Sequence, residues 1–547
     1  MSEPEACEKH PVNRFLNKYG ITLAVVIVFM LAFSIRLYWI GNKTGIHTDE
    51  AFTHIVSSFR EYGWLYPFPG DREITGAQAM EMMYGNITDT AKNIAAFEEL
   101  RRTNNYDHSH PNLYYLLYRL SATVNGSKIL TLKELTKTGC GLNMVLFCFS
   151  FLFMYFLLKN LFADKRLIPL GLAAAFLNTG TISNTLLIRS YQLQETALIL
   201  FTLFFVIYYK KEEKLTDWKD LCILAAVTAF ALLSGYFPLL YIGMLGLIIL
   251  KKQRYNAGFL LASFAAGMVL AVAVFPAYFD AFAARRALEI TNGTSVKSSV
   301  EFNYFLQVFI TINMDYLLYI PVSAFLIICL ALGFIKKFKK DCPDKTPLVL
   351  LLFAVSYVWF FVVLFLAPFK ILRYGVAVFP IISLAVPYIF GRLKDNVYKI
   401  LAPLFVLVLA ASALFAVRVD NGYKGKDNLF GDKSSIPAYV EISGFNVARQ
   451  CKFLGKPGLP VIFYVTNVEN KYKYLGIVPH FPAEQKYFFP DINNTDVYNK
   501  YNHFFLLIDK ASYDTFPKPP PDEKILDTFD CATVYGGGFT GLEIVKP

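Results

Sequence analysis

Apolar runs of about twenty residues recur along most of this chain, separated by short polar stretches, and a run of that length crosses the ~30 Å hydrocarbon core of a bilayer as a helix. Read against their flanks, they predict about eleven spans, at 21–40, 137–158, 166–185, 190–209, 219–234, 236–250, 257–277, 315–335, 347–367, 371–390 and 398–417. The run 111–124 is too short to cross; it reads as an interfacial helix with Tyr114, Tyr115 and Tyr118 at headgroup level. After Val417 the pattern turns polar. There Pro460–Val465 and His503–Ile508 read as buried strands and 437–454 as a helix. The expected fold class is therefore mainly α: a polytopic transmembrane helical bundle over 1–417, interrupted by a long first outer loop at 41–136, followed by a small outer α/β domain over 418–547.

Composition agrees with a membrane protein, since 55% of the 547 residues are hydrophobic and only 17% are charged. The net charge of +11 sits in short clusters between apolar runs, which argues against a nucleic-acid partner. Such clusters include Lys159, Lys165 and Arg166; Lys210, Lys211 and Lys214; and Lys251, Lys252 and Arg254. Alternating the spans makes every inner loop basic and leaves far fewer basic residues in the short outer connections, predicting a multi-pass protein with a cytoplasmic N-terminus and an extracytoplasmic first loop and C-terminal domain. The first span lacks a clear small-residue cleavage site and is expected to be retained. The sequons at Asn42, Asn86, Asn125, Asn292 and Asn493 all fall on the predicted outer side. The eight cysteines form no Cys-x-x-Cys pair; Cys451 and Cys531 lie where a disulfide is permitted, without a spacing that establishes one.

Chemistry concentrates in the first loop. It opens with His47-Thr48-Asp49-Glu50 and closes with His108-Ser109-His110-Pro111-Asn112, and four of the seven histidines lie in or beside these runs. Thr48 is suited to start a helix whose first turn carries Asp49 and Glu50 at its positive end, a placement that favours a carboxylate able to accept a proton from an attacking hydroxyl. Both acids could equally serve only to stabilise that terminus. His47, Glu50 and His54 fall at i, i+3 and i+7, which leaves a divalent metal as an alternative with His108 and His110 as further donors, although no His-Glu-x-x-His spacing supports a required one.

Ionisable groups also mark the outer ends of later spans. Arg189-Ser190-Tyr191 opens the fourth span with Glu195 one turn further on, and Lys370, Arg373 and Tyr374 precede or open the tenth. Intramembrane acids and arginines are costly, which makes them functional candidates, and a guanidinium fork in a low-dielectric site suits a departing phosphate. A structural network or lipid contact is the competing account. Arg285-Arg286 are weaker candidates for the same role.

Together these motifs resemble the membrane-embedded C-type (GT-C fold) glycosyltransferases, in particular the group related to protein O-mannosyltransferases and lipid A aminoarabinose transferases. The resemblance runs from about residue 20 to 417 and rests on Asp49-Glu50, His110-Pro111-Asn112-Leu113-Tyr114-Tyr115 in place of the family's His-Pro-Pro-Leu-Tyr-Tyr, Arg189-Ser190-Tyr191, and Arg373-Tyr374 followed by Pro380. Asn112 departs from the pattern and His108 is an addition. The resemblance implies transfer of a sugar from a polyprenyl-phosphate-linked donor to a lipid, glycan or protein acceptor at the outer face. Asp49 takes the role of general base, Arg189, Arg373 and Lys370 stabilise the phosphate, and Glu50 and His110 orient Asp49 or the sugar. No cofactor is implied as required.

Two rival readings remain. A protein oligosaccharyltransferase predicts a Trp-Trp-Asp motif in the outer domain, whereas the four tryptophans are Trp39, Trp64, Trp218 and Trp359. A lipid-carrier or polysaccharide transporter predicts repeated halves with broken helices at the midplane, whereas the polar groups here gather at one face. The sugar, the acceptor, the carrier length and the oligomeric state are not encoded in any motif of the chain.

Overall fold

Long apolar stretches fold as helices because only a helix satisfies its own backbone groups in lipid. In the computed structural model, the described residues are 11–43, 48–58, 68, 72–84, 90–102, 110–125, 131–291, 346–366, 374–415, 458–464, 478, 481–489, 500–509, 524–531 and 539–545. Their helices are α1 (Pro11–Gly41), α2 (Thr48–Ser58), α3 (Gly76–Tyr84), α4 (Thr90–Arg102), α5 (Leu113–Asn125), α6 (Leu132–Leu161), α7 (Leu167–Phe176), α8 (Thr179–Leu186) and α9 (Tyr191–Lys210). The series continues with α10 (Trp218–Ser234), α11 (Pro238–Lys252), α12 (Ala257–Val274), α13 (Tyr278–Thr291), α14 (Thr346–Leu366), α15 (Phe379–Ile382), α16 (Ala385–Phe390) and α17 (Asp395–Phe415). Among the described residues six helices are long and apolar enough to cross a membrane: Tyr19–Gly41, Lys133–Leu161, Tyr191–Lys210, Arg254–Val274, Leu348–Leu366 and Asp395–Leu414.

Two expected spans are not continuous helices. The stretch 166–185 divides into α7 and α8 at Leu177-Asn178, and 371–390 contains a 3₁₀ turn at Val376–Val378 followed by α15 and α16. The second break follows from Pro380 and Pro387, which remove backbone donors and limit each helix to about a turn or two. The first is held open by side chains. Asn178 accepts from Thr181 N at 3.0 Å and donates to Ala175 O at 2.8 Å, capping both helices at once. Arg36 of α1 adds a donor to Phe176 O at 2.9 Å and bonds Thr185 Oγ1 of α8 at 2.9 Å, with its guanidinium 4.0 Å from the centre of the Phe147 ring. The expected helices at 219–234 and 236–250 appear as α10 and α11, separated at Gly235. The expected span 315–335 and helix 437–454 lie outside the described residues, as does Cys451.

The C-terminal strands are β2 (Val461–Tyr464), β3 (Lys486–Phe488), β4 (His503–Asp509), β5 (Lys524–Cys531) and β6 (Phe539–Val545). They form a mixed sheet in the order β1-β3-β2-β4-β6-β5, in which β1 is Ile74–Thr75 of the first loop. β2 lies parallel to β3 and β4, as in an α/β layer, and the strands expected at Pro460–Val465 and His503–Ile508 are β2 and β4. Each sheet face buries its own apolar set. Val461, Phe463, Tyr487 and Phe505 pack with Ile74, Ala79 and Met83 of the first loop, while Ile462, Phe488, Leu506 and Ile544 pack on the other side.

The joint between loop and tail is polar as well as apolar. Gly76 N donates to Gln485 O at 3.0 Å and Ala77 N to Ala483 O at 3.1 Å, so tail carbonyls satisfy the opening amides of α3. Glu73 pairs with Lys500 at 2.5 Å and Lys486 at 3.4 Å. Burial alone raises the Glu73 carboxyl, but hydrogen bonds from Lys500, Tyr501 and Lys486 outweigh it and bring it down to about 2. Because β1 and β3 are hydrogen-bonded, loop and tail occupy the same side of the bilayer. An even number of crossings therefore separates Lys43 from Val461, a condition met by the expected ten and equally by other even counts.

A methyl group on Gly76 would sit 2.1 Å from Pro482 O. Gly76→Ala is accordingly expected to weaken the joint by about 1–3 kcal/mol, the range for overpacking. The check is limited proteolysis: faster cleavage of the tail with unchanged protection of the bundle is the expected outcome.

Candidate functional site

Helix α2 begins at Thr48, with Asp49 and Glu50 in its first turn, where their charge is favoured by the helix dipole. The two neighbouring acids meet different surroundings. Asp49 is half-buried, whereas the Glu50 side chain is fully enclosed. Glu50 Oε1 pairs with Lys43 Nζ and accepts from Ile188 N at 2.8 Å. Lys43 Nζ also donates to Leu186 O at 2.9 Å. Glu50 thus joins the end of α1 and the start of α2 to the turn between α8 and α9.

That turn presents Arg189, Ser190 and Tyr191. Its free carbonyls are satisfied by side chains of α6: Asn143 Nδ2 donates to Leu187 O at 2.7 Å and Thr185 O at 3.2 Å, and Cys140 Sγ to Leu186 O at 3.4 Å. Arg189, only 5% exposed, donates from one terminal nitrogen to Thr53 Oγ1 at 3.3 Å and to Tyr115 Oη at 3.2 Å. Thr53 lies one turn beyond Asp49 on α2 and donates back to Asp49 O at 3.0 Å. Helix α2, through Glu50 and Thr53, therefore holds both the backbone and the side chain of the Arg189 segment.

A second group forms beside the first. His110 Nδ1 and Ser190 Oγ are 3.1 Å apart, and Gln194 Nε2 donates to Ser190 Oγ at 3.2 Å. The His110 ring meets Tyr191 edge-on at 5.9 Å, and Tyr191 meets Tyr374 at 6.2 Å. The structure thus links Glu50 and the Arg189 segment with His110, Tyr191 and Tyr374, and Asp49 precedes Glu50 at the start of α2. His47, His108, Lys370 and Arg373 lie outside the described residues, and nothing of the Arg285 and Arg286 side chains is described. Glu195 takes part in a different network: it accepts from Asn184 at 2.9 Å and Gln192 at 2.9 Å, inside the bundle on the side of Arg36.

The tyrosines of α5, expected at headgroup level, are buried against protein. Tyr114 donates to Asn143 at 2.9 Å, Tyr115 receives Arg189, and Tyr118 hydrogen-bonds His54 Nδ1. Their hydroxyls find protein partners, which a buried tyrosine needs. Asn112, where the motif resemblance leads one to expect proline, donates to Leu100 O at 3.0 Å and Arg101 O at 2.7 Å, closing the end of α4. A proline has no such donor. Lys43, Thr53, Tyr115 and Asn143 were not legible as site residues. The available signals were Asn143 inside an apolar run and, in the Asp49-Glu50 pair, a glutamate seven residues after Lys43.

The described members of the metal alternative do not share a coordination site. Glu50 Oε1 holds Lys43 and Ile188, while His54 holds Tyr118, and among the described residues no group of three His, Cys, Asp or Glu side chains converges. Burial, with Lys43 nearby, lowers His54 from 6.5 to about 3, so its ring is neutral.

No protein-family model matches the sequence, and no curated protein matches it. Among solved structures, ArnT from Cupriavidus metallidurans bound to undecaprenyl phosphate is similar at 10% identity, over 94% of this chain and 97% of that one, with a TM-score of 0.50. The apo state of the same protein gives a TM-score of 0.47 at 10% identity, over 96% of this chain and 98% of that one. An oligosaccharyltransferase from Archaeoglobus fulgidus in complex with Zn and sulfate gives 0.44 at 10% identity, over 90% of this chain and 69% of that one. The chain thus shares the fold of ArnT, the polytopic C-type membrane fold that its motifs resemble.

A depressed histidine favours the fold above its unfolded value of 6.5 and loses that contribution as pH falls from there towards about 3. The unfolding temperature of the wild type should therefore drop between pH 7 and pH 5. In His54→Gln, which keeps a polar partner for Tyr118 but does not titrate, thermal unfolding across the same interval should show a shallower slope.

Proposed function

We propose that this protein is a glycosyltransferase that moves a sugar from a polyprenyl-phosphate-linked donor to an acceptor at the extracytoplasmic face. The observation carrying the reading is that the fold is shared along nearly the full length of both chains with ArnT, which was solved with undecaprenyl phosphate. The attachment of Arg189 to Thr53, on the helix that carries Asp49, is consistent with it.

In this reaction Asp49 takes the proton of the acceptor hydroxyl as its oxygen bonds to the anomeric carbon. The carbon–oxygen bond to phosphate breaks, and the electron pair leaves with the phosphate. Arg189, joined by Arg373 and Lys370, stabilises that developing charge, which a cation does best where water is excluded. Glu50 holds the geometry, and His110 and Tyr191 orient the donor sugar. Glu195 is assigned to the interior of the bundle rather than to substrate. No step passes through a metal. Nucleotide sugars are cytoplasmic, so an outward-facing site requires a donor already carried across on lipid, with the N-terminus inside. The acceptor is a lipid, a glycan or a protein, and the tail domain, tied to the catalytic loop, is placed to take part in choosing it.

The test is release of free polyprenyl phosphate from a panel of polyprenyl-phospho-sugars by the purified protein in lipid, with an added acceptor extract. Asp49→Asn should lower release at least ~100-fold, the scale for loss of a general base. Equal release in the variant removes Asp49 from the mechanism. Absence of release from every donor returns the weight to a transporter.

A further inference from the structure

The geometry points to Glu50 as a positioning residue: through Ile188 N it fixes the turn that presents Arg189, and so sets the separation of the phosphate-binding guanidinium from Asp49, one residue away. The inference rests on the proposed reaction and gives Glu50 a role distinct from that of its neighbour. Three observations support it. Glu50 is fully enclosed, leaving no surface for substrate. Its Oε1 accepts from Ile188 N at 2.8 Å, immediately before Arg189. The side chain of Arg189 is then held by Thr53, three residues after Glu50 on the same helix.

A two-point attachment of this kind resists rotation, which one contact cannot. Glu50 fixes the backbone of the turn and Thr53 the side chain that leaves it, so α2 and the Arg189 segment move as one body. Lys43 is the counter-charge that lets a carboxylate occupy this enclosed position, and its second bond to Leu186 O grips the other end of the same turn. Asn143 holds Leu187 O between them. Four successive residues, Thr185 to Ile188, thus have a backbone group held by a side chain from α6, from α2 or from the end of α1. A misplacement of about 1 Å at a reacting centre is enough to cost on the order of 100-fold in rate.

Two charge-neutral double variants separate positioning from simple compensation of a buried charge. In Lys43→Met/Glu50→Gln the amide oxygen can still accept from Ile188 N. In Lys43→Met/Glu50→Met, similar in size, nothing accepts. Turnover of polyprenyl-phospho-sugars is measured for both, together with hydrogen exchange at the Ile188 amide. The expected result is at least ~10-fold faster turnover in the Gln double than in the Met double, carried by kcat with donor KM changed less than about threefold, and fast exchange at Ile188 in the Met double alone. Equal kcat, or equal protection of Ile188, overturns the inference. Thr53→Val with Tyr115→Phe removes the Thr53 and Tyr115 attachments of Arg189 without disturbing the ion pair; it should lower kcat in the same way, and unchanged kcat overturns the inference where the Met double does not fold. If the wild type releases nothing from any donor, the proposed reaction fails, and the clamp stands or falls on Ile188 exchange.

Discussion

Every backbone amide and carbonyl inside a bilayer has to be satisfied by protein, because no water is there to do it. That constraint shapes this chain where its helices stop. The α7–α8 break is closed by Asn178 and Arg36, and the α8–α9 turn by Lys43, Glu50, Asn143 and Cys140. Each of these side chains comes from sequence remote from the turn it serves, apart from Asn178. The irregular segment is therefore a point at which α1, α2 and α6 are tied together. Arg189 emerges from that knot, which is why a long, flexible side chain occupies a defined place.

The first loop acts as the bridge of the molecule. Arg119 of α5 donates to Ser57 O at 2.8 Å, closing the end of α2, and Asn112 closes the end of α4. Arg101 of α4 reaches Ala273 O at 2.9 Å, at the end of α12. In the other direction β1 adds an edge strand to the tail sheet, with stacked rings of Phe68 and Phe489 at 4.3 Å beneath it. One loop thus contacts the bundle, the site and the tail. Ordering so long a connection costs backbone entropy at every residue, and these docking contacts offset it.

The acids of the chain show how environment divides one chemistry into several roles. Glu50 and Glu195 are both enclosed, yet one clamps a turn to an ammonium group and the other accepts from two side-chain amides within the bundle. Glu73 lies near the surface and ties loop to tail through two lysines. Asp49, half-buried at the start of α2, is the acid left at the edge of the knot rather than inside it. Depth relative to water separates the acids enclosed with protein partners, Glu50 and Glu195, from those partly open to solvent, Glu73 and Asp49.

The sequence by itself determined what depends on local pattern. Length and apolarity of the runs specify membrane helices, the polar shift after Val417 specifies a separate kind of structure, and β-rich segments such as Val461–Tyr464 and His503–Asp509 specify strands. The start of α2 with its two acids was legible for the same reason, since a helix terminus is written in adjacent residues. Tertiary structure alone decided what depends on partners distant in the chain. The contacts of Glu50 with Ile188 and of Lys43 with Leu186, the inward turn of Tyr114, Tyr115 and Tyr118, and the addition of Ile74–Thr75 to a sheet more than 380 residues away leave no local periodicity. Nor does hydropathy mark the α7–α8 break, because α7 is apolar throughout and the groups that close the break belong mainly to other helices. Apolar burial repeats along a helix and can be read in one dimension, but hydrogen bonds that satisfy a broken helix are made in three.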